Sequence, residues 1–124
     1  MSVNLVILVG NLGKDPVVSF TASGKAVAKF PLATSEVWND AEDSRQERTE
    51  WHNIIVWGKQ AESCGQYLAK GRQVYIEGQI RTRSYDDKEG VKKYITEITA
   101  QRVQFLGDRS GSREDPDDAN KAPF

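Results

Sequence analysis

Apolar and polar residues alternate along most of the first 107 positions, and the β-branched residues concentrate in those alternating runs. A period of two marks a strand with one buried face. The pattern predicts strands over 3–11, 17–21, 26–35, 49–57, 73–85 and 93–105. Ser23-Gly24 reads as the turn between the second and third, and Asp86-Asp87-Lys88-Glu89-Gly90 as a hairpin tip between the last two. One stretch departs from this period. Over 60–70, Ala61, Cys64 and Leu68 recur at i, i+3 and i+7, with Gly71 placed where a left-handed helix cap is expected.

The resulting order is strands, one short helix, then a long hairpin. A five-stranded barrel with a helix between its third and fourth strands is the OB-fold arrangement, so the predicted class is all-β with an OB-fold barrel. Residues 108–124 differ in kind. They hold five acids and three bases, with Pro, Gly and Ser and nothing to bury before Phe124. Such a segment cannot offset its ordering entropy, and the expectation is a disordered acidic tail. The chain therefore divides into a barrel domain over 1–107 and a tail over 108–124.

Each strand of a closed barrel has an inward and an outward face. In the first strand both faces are apolar: Val3, Leu5, Ile7 and Val9 on one, Val6 and Leu8 on the other. One set fills the barrel, and the other needs a cover, for which a subunit interface is the expected answer. Over 49–57, His52, Ile54 and Val56 form an inner row and Trp51, Asn53, Ile55 and Trp57 an outer one. The two indoles stand roughly 20 Å apart on one side if the strand is unbroken. Over 73–85, Val74, Ile76 and Ile80 alternate inward around Gly78, while Arg81, Arg83 and Tyr85 project outward. Trp38 follows the strand ending at Ser35, at the head of a polar loop to Arg48 that holds Arg45. Aromatic rings among cations on an open sheet suit single-stranded nucleic acid, whose bases stack while cations follow the phosphates. Duplex DNA exposes no base faces to such rings.

Composition narrows the field further. Seventeen basic and eighteen acidic residues give a net charge of -1, and the tail's share leaves the first 107 residues at +1. A histone-like basic coat is excluded. The longest apolar run, Leu5-Val6-Ile7-Leu8-Val9, is strand-sized and far short of a membrane span, and no secretory pattern surrounds it. His52 and Cys64 are the only residues of their types. They cannot build a structural zinc site or a disulfide, and they fit a reducing, cytoplasmic setting. No metal, cofactor or catalytic constellation is expected, so a binding protein is favoured over an enzyme. Gly10 and Gly13 lack the third glycine of a dinucleotide loop and read as allowing a sharp turn.

Longer blocks are more specific. Asn4 to Pro16, Leu32 to Trp38, Thr49-Glu50-Trp51-His52, Trp57-Gly58-Lys59 and Gly71 to Arg83 together resemble the bacterial single-stranded DNA-binding protein family. The resemblance implies an OB-fold homotetramer that binds and protects single-stranded DNA without sequence preference in replication, recombination and repair, associated with the nucleoid. It implies base stacking at Trp38, Trp51, Trp57 and Tyr85, where relatives often carry Phe in place of Trp57 and Trp in place of Tyr85. It implies phosphate contacts at Lys59, Lys70, Arg81 and Arg83, with Arg45 nearby. Leu5, Ser19 and Ser84 stand where many relatives have a base. The tail resembles the family's partner-docking tip at Asp117, Asp118, Pro123 and Phe124. Here Ala119, Asn120 and Lys121 separate the acids from Ala122-Pro123-Phe124. Two other readings share these residues: an RNA-binding or primosomal OB protein, and an OB domain that serves only as a protein adaptor.

Overall fold

The computed structural model describes residues 1–107, and the expected disordered tail lies outside them. Six strands and one helix follow in order: β1 (Val6–Leu12), β2 (Val17–Phe20), β3 (Ala26–Asn39), β4 (Arg45–Trp57), α1 (Lys59–Tyr67), β5 (Gln73–Asp86) and β6 (Lys92–Leu106). Five of the strands close a barrel. β1 pairs with β5 and, through Asn11 and Leu12, with β3; β3 pairs with β4, and β5 with β6. The circle is completed by a short parallel contact, Ile54 to Val56 of β4 against Ile98 to Ala100 of β6. β2 is an extra short strand on the edge of β3. Counted along the barrel, α1 therefore falls between the third and fourth strands, as predicted.

The inner rows fill the barrel. Leu32, Ile54, Ile76, Val56 and Val74 are fully buried, and α1 closes one end by presenting Ala61 and Cys64. Burial without a partner charge pushes the Cys64 thiol up to about 11. In β1, Val6 and Leu8 pack on this core while Leu5, Ile7 and Val9 remain about half exposed. The two-sided apolar pattern thus resolves as predicted into one filled face and one open face.

Several expectations need correction. The segment read as a polar loop from Trp38 to Arg48 is strand: β3 runs to Asn39, β4 starts at Arg45, and the two pair without a break. A two-stranded ribbon standing off a barrel buries neither face, so it shows no hydrophobic alternation. Its tip is closed by Asp40, whose Oδ1 accepts the backbone N–H groups of Glu42 and Ser44, each at 2.9 Å. The helix ends at Tyr67, not Lys70, because Leu68 turns to extended backbone to bury its side chain. Gly71 does adopt a left-handed φ of 93°, but in the next turn, closed by Arg72 N–H to the Ala69 carbonyl at 3.1 Å. That turn is held from outside the helix by Asp15, which accepts the Lys70 N–H at 2.8 Å.

Ile80 is not core: it is 48% exposed, since β1 starts only at Val6, opposite Gly78, and no strand pairs with that edge of β5 beyond it. Here the side-chain amide of Asn4 takes the place of a pairing strand, bonding both the N–H and the carbonyl of Ile80. Of the two glycines expected at a sharp turn, Gly10 lies within β1 and Gly13 in the bend that follows it, and neither has a positive φ. Each is required by close approach. A Cβ at Gly10 would strike the Ala33 carbonyl oxygen, and one at Gly13 the ring of Trp51.

A bulge divides the exterior of the barrel. Between Glu77 and Gly78 the β5–β6 register slips, leaving Gln101 of β6 as an extra residue. The side chain of Gln60 satisfies it, donating to the Gln101 carbonyl at 3.0 Å and accepting the Val103 N–H at 2.9 Å. On either side of the bulge, inner residues of β6 switch from Ile98 and Ala100 to Val103 and Phe105.

Candidate nucleic-acid interface

Alternation and register set the outer surface beyond the bulge. Trp57, Ile55, Asn53 and Trp51 of β4 lie opposite Val27, Lys29, Pro31 and Ala33 of β3. Across the parallel contact, Ile55 meets Thr99, and β6 in turn carries the row Gln79, Arg81, Arg83, Tyr85 of β5 beside it. The surface is hollowed. One hollow of about 660 Å³ runs among Val27, Trp57, Arg81 and Thr99. A second, of about 380 Å³, lies toward Lys14, Pro31, Asn53 and Ile95. Lys29, Ile55, Arg83 and Glu97 line both, so the two are parts of one trough.

Its floor is apolar and its sides are aromatic and cationic. Ile55 is 7% exposed although it belongs to the outer row, because neighbouring side chains close over it. Trp51 is 60% exposed with its ring against Gly13, and Trp57 is 40% exposed with the Lys25 ammonium 5.7 Å from its ring centroid. Tyr85 is open at the distal end of β5, paired in register with Lys93. Arg81 donates to the neutral amide oxygen of Gln79, at 3.2 Å. Arg83 is held differently: its Nε–H and Nη2–H reach the two carboxylate oxygens of Glu97 at 2.9 and 3.1 Å. That hydrogen bonding raises the guanidinium above its ordinary pKa.

The structure thus brings Trp51, Trp57, Arg81, Arg83 and Tyr85 to one face. It does not bring Trp38 there. With register unbroken, Trp38 continues the row of Leu32, Thr34 and Glu36, on the reverse side of the ribbon from Trp51. Arg45 is exposed at the ribbon's tip, Lys59 at the first turn of α1, and Lys70 in the turn after it. None of these three lines the trough, and Trp51 and Tyr85 share its face without lining either hollow. Asp117, Asp118, Pro123 and Phe124 lie outside the described residues. Sequence reasoning missed Lys25, Lys29 and Glu97. Lys29 was visible as the sole charge within the 26–34 run, pointing outward by alternation. Glu97 carries no comparable signal. Among the described residues no group of three acidic, His or Cys side chains is arranged to hold a metal, and no helix is long and apolar enough to cross a membrane.

A barrel of this topology with an aromatic, cationic trough defines an OB-type binding protein, and comparison with known proteins agrees. Residues 3–106 match the model of the Single-strand binding protein family, and the chain belongs to that family. It is 53% identical over 123 residues to single-stranded DNA-binding protein 1 of Chlorobaculum tepidum, covering 97% of this chain and 76% of that protein. It is 50% identical over 110 residues to the single-stranded DNA-binding protein of Neisseria meningitidis serogroup A, covering 89% of this chain and 63% of that protein. The chain therefore spans somewhat less than two thirds of the length of the Neisseria relative. Among solved structures, the one described as Plasmodium falciparum SSB complex with ssDNA superposes with a TM-score of 0.80 at 34% identity, covering 86% of this chain and 97% of that one.

Proposed function

We propose that this chain binds and protects single-stranded DNA without regard to sequence, by stacking bases on Trp51, Trp57 and Tyr85 while Lys29, Arg81 and neighbouring cations neutralise phosphates. The observation that carries this is the trough, an apolar floor at Ile55 flanked by Trp57, Lys29 and Arg81, with the exposed Trp51 on the same face of β4 outside it. Every base has a π-face, so stacking of this kind is tolerant of sequence and contributes about 1–3 kcal/mol per base. Trp38 is a separate platform on the back of the ribbon, with Arg45 at its tip, and Lys59 and Lys70 extend the basic surface beyond the trough. Family membership and the relatives' names support this reading and that of a binding protein over an enzyme.

The open face of β1 supports self-association, with the family's homotetramer as the assembly. Leu5, Ile7 and Val9 are 54%, 55% and 45% exposed, and by register Ile7 and Val9 adjoin the Glu77–Tyr75 pair of β5. Replication, recombination and repair in the cytoplasm, at the nucleoid, are the setting. Recruitment of repair and replication partners falls to Asp117, Asp118, Pro123 and Phe124.

Tryptophan fluorescence tests the reading. Oligo-dT and mixed-sequence DNA should quench it comparably, RNA of equal length should bind less well, and affinity should fall with salt. The double replacement Trp51→Ala, Trp57→Ala should weaken binding by roughly tenfold or more; undiminished affinity rejects the stacking mode. Ile7→Asp should lower the mass measured by analytical ultracentrifugation.

A further inference from the structure

The bidentate pair of Arg83 with Glu97 is unexpected in a groove for a polyanion. Glu97 is the one buried charged residue among the described residues, only 9% exposed, and its carboxylate sits where phosphates are to be attracted. Both of its oxygens are engaged by one guanidinium, in the planar fork geometry that fixes orientation as well as distance. The pair is internally compensated, so it offers a passing phosphate almost no net charge. It also stands at the junction of the two hollows, with Ile55 beneath. Arg83 nevertheless keeps 53% of its side chain exposed.

We infer that Arg83 acts as a rigid planar platform for an unpaired base, held flat by Glu97 as its positioning residue, and not as a phosphate-neutralising cation. A guanidinium stacks on flat π-systems through its own plane, which an ammonium cannot do. Anchoring by Glu97 before DNA arrives removes much of the rotamer entropy that an unanchored arginine loses on binding. Phosphate neutralisation is left to Lys29 and to Arg81, which among the described residues bonds a neutral amide and no carboxylate. This inference rests on the single-stranded DNA reading.

Full-length chains are titrated with oligo-dT over a salt series, following tryptophan fluorescence. Arg81→Ala should reduce the slope of log affinity against log salt by about 0.7 per bound protomer. The charge-balanced double variant Arg83→Ala, Glu97→Gln should leave the slope at the wild-type value while affinity falls at least about fivefold at every salt concentration. Arg83→Lys, which keeps the charge and removes the plane, should lose affinity as well. Glu97→Gln should steepen the slope by about 0.7, because an uncompensated charge becomes available. A slope loss in that double variant equal to that in Arg81→Ala, or an unchanged affinity, overturns the inference alone. No quenching by any DNA in the wild type overturns the binding reading and the inference with it. Should the Glu97 variants not fold, Arg83→Lys still decides, and undiminished affinity there overturns the inference.

Discussion

Replacing Gly13 with Ala separates the proposed stacking surface from the fold that carries it. Gly13 has no positive φ, so Ala fits its backbone and stabilises by about 0.4–1 kcal/mol through the unfolded chain. The added Cβ, however, falls on the outer edge of the Trp51 ring, with Cη2 at 2.8 Å and the Pro31 Cγ at a harmless 3.5 Å. That edge is the far end of a side chain 60% exposed, free to swing into solvent. Its lost contact costs on the order of 1 kcal/mol, which the backbone gain offsets. Net stability should stay within about 1 kcal/mol of wild type. DNA binding should not: a ring moved off its seat forfeits up to about 1–3 kcal/mol of stacking, roughly five- to 150-fold in affinity.

Gly10→Ala is the matched control. Its Cβ meets the Ala33 carbonyl oxygen, with the carbonyl carbon at 3.0 Å and Leu32 Cγ at 3.2 Å, where β1 pairs with β3. Backbone cannot swing aside, so the cost is about 1–3 kcal/mol of overpacking. Chemical denaturation and fluorescence titration of both variants distinguish the cases. Equal destabilisation of the two, or wild-type DNA affinity with unshifted tryptophan emission in Gly13→Ala, refutes the reasoning.

Two further outcomes follow from groups away from the trough. Gln60→Ala removes the side chain that bonds the Gln101 carbonyl and the Val103 N–H, one exposed and one half-buried, and should lower stability in denaturant by about 0.5–1.5 kcal/mol. For Cys64, the folded thiol holds its proton to about 11 while the unfolded one releases it near 9. The folded state then binds more protons between those values, so stability should fall as pH rises through that window, by about 3 kcal/mol at most. Cys64→Ala should remove that part of the decline, and alkylation of the native thiol at pH 8 should be slow.

The chain's own pattern was enough for the elements and for much of the face. Alternation in the 49–57 run placed Trp51 and Trp57 together and away from Ile54 and Val56, because side-chain direction in a strand is a local property. The helix was legible from Ala61 and Cys64 for the same reason, although Leu68, which continued their spacing, lies just past its end. What depended on pairing was not. The polar ribbon of β3 and β4 is strand because two backbones meet, and its register turns Trp38 to the reverse side. Ile80 follows the inner alternation yet is exposed, since only closure of the barrel fixes where the interior ends. Gly10 and Gly13 are defined by what lies against them: a carbonyl 23 residues away for one, an indole for the other. Arg83 resembled any outward cation until folding brought Glu97 across the hairpin to hold it. Period and composition act between near neighbours, whereas register, closure and ion pairing are decided between distant segments that meet only once the barrel has formed.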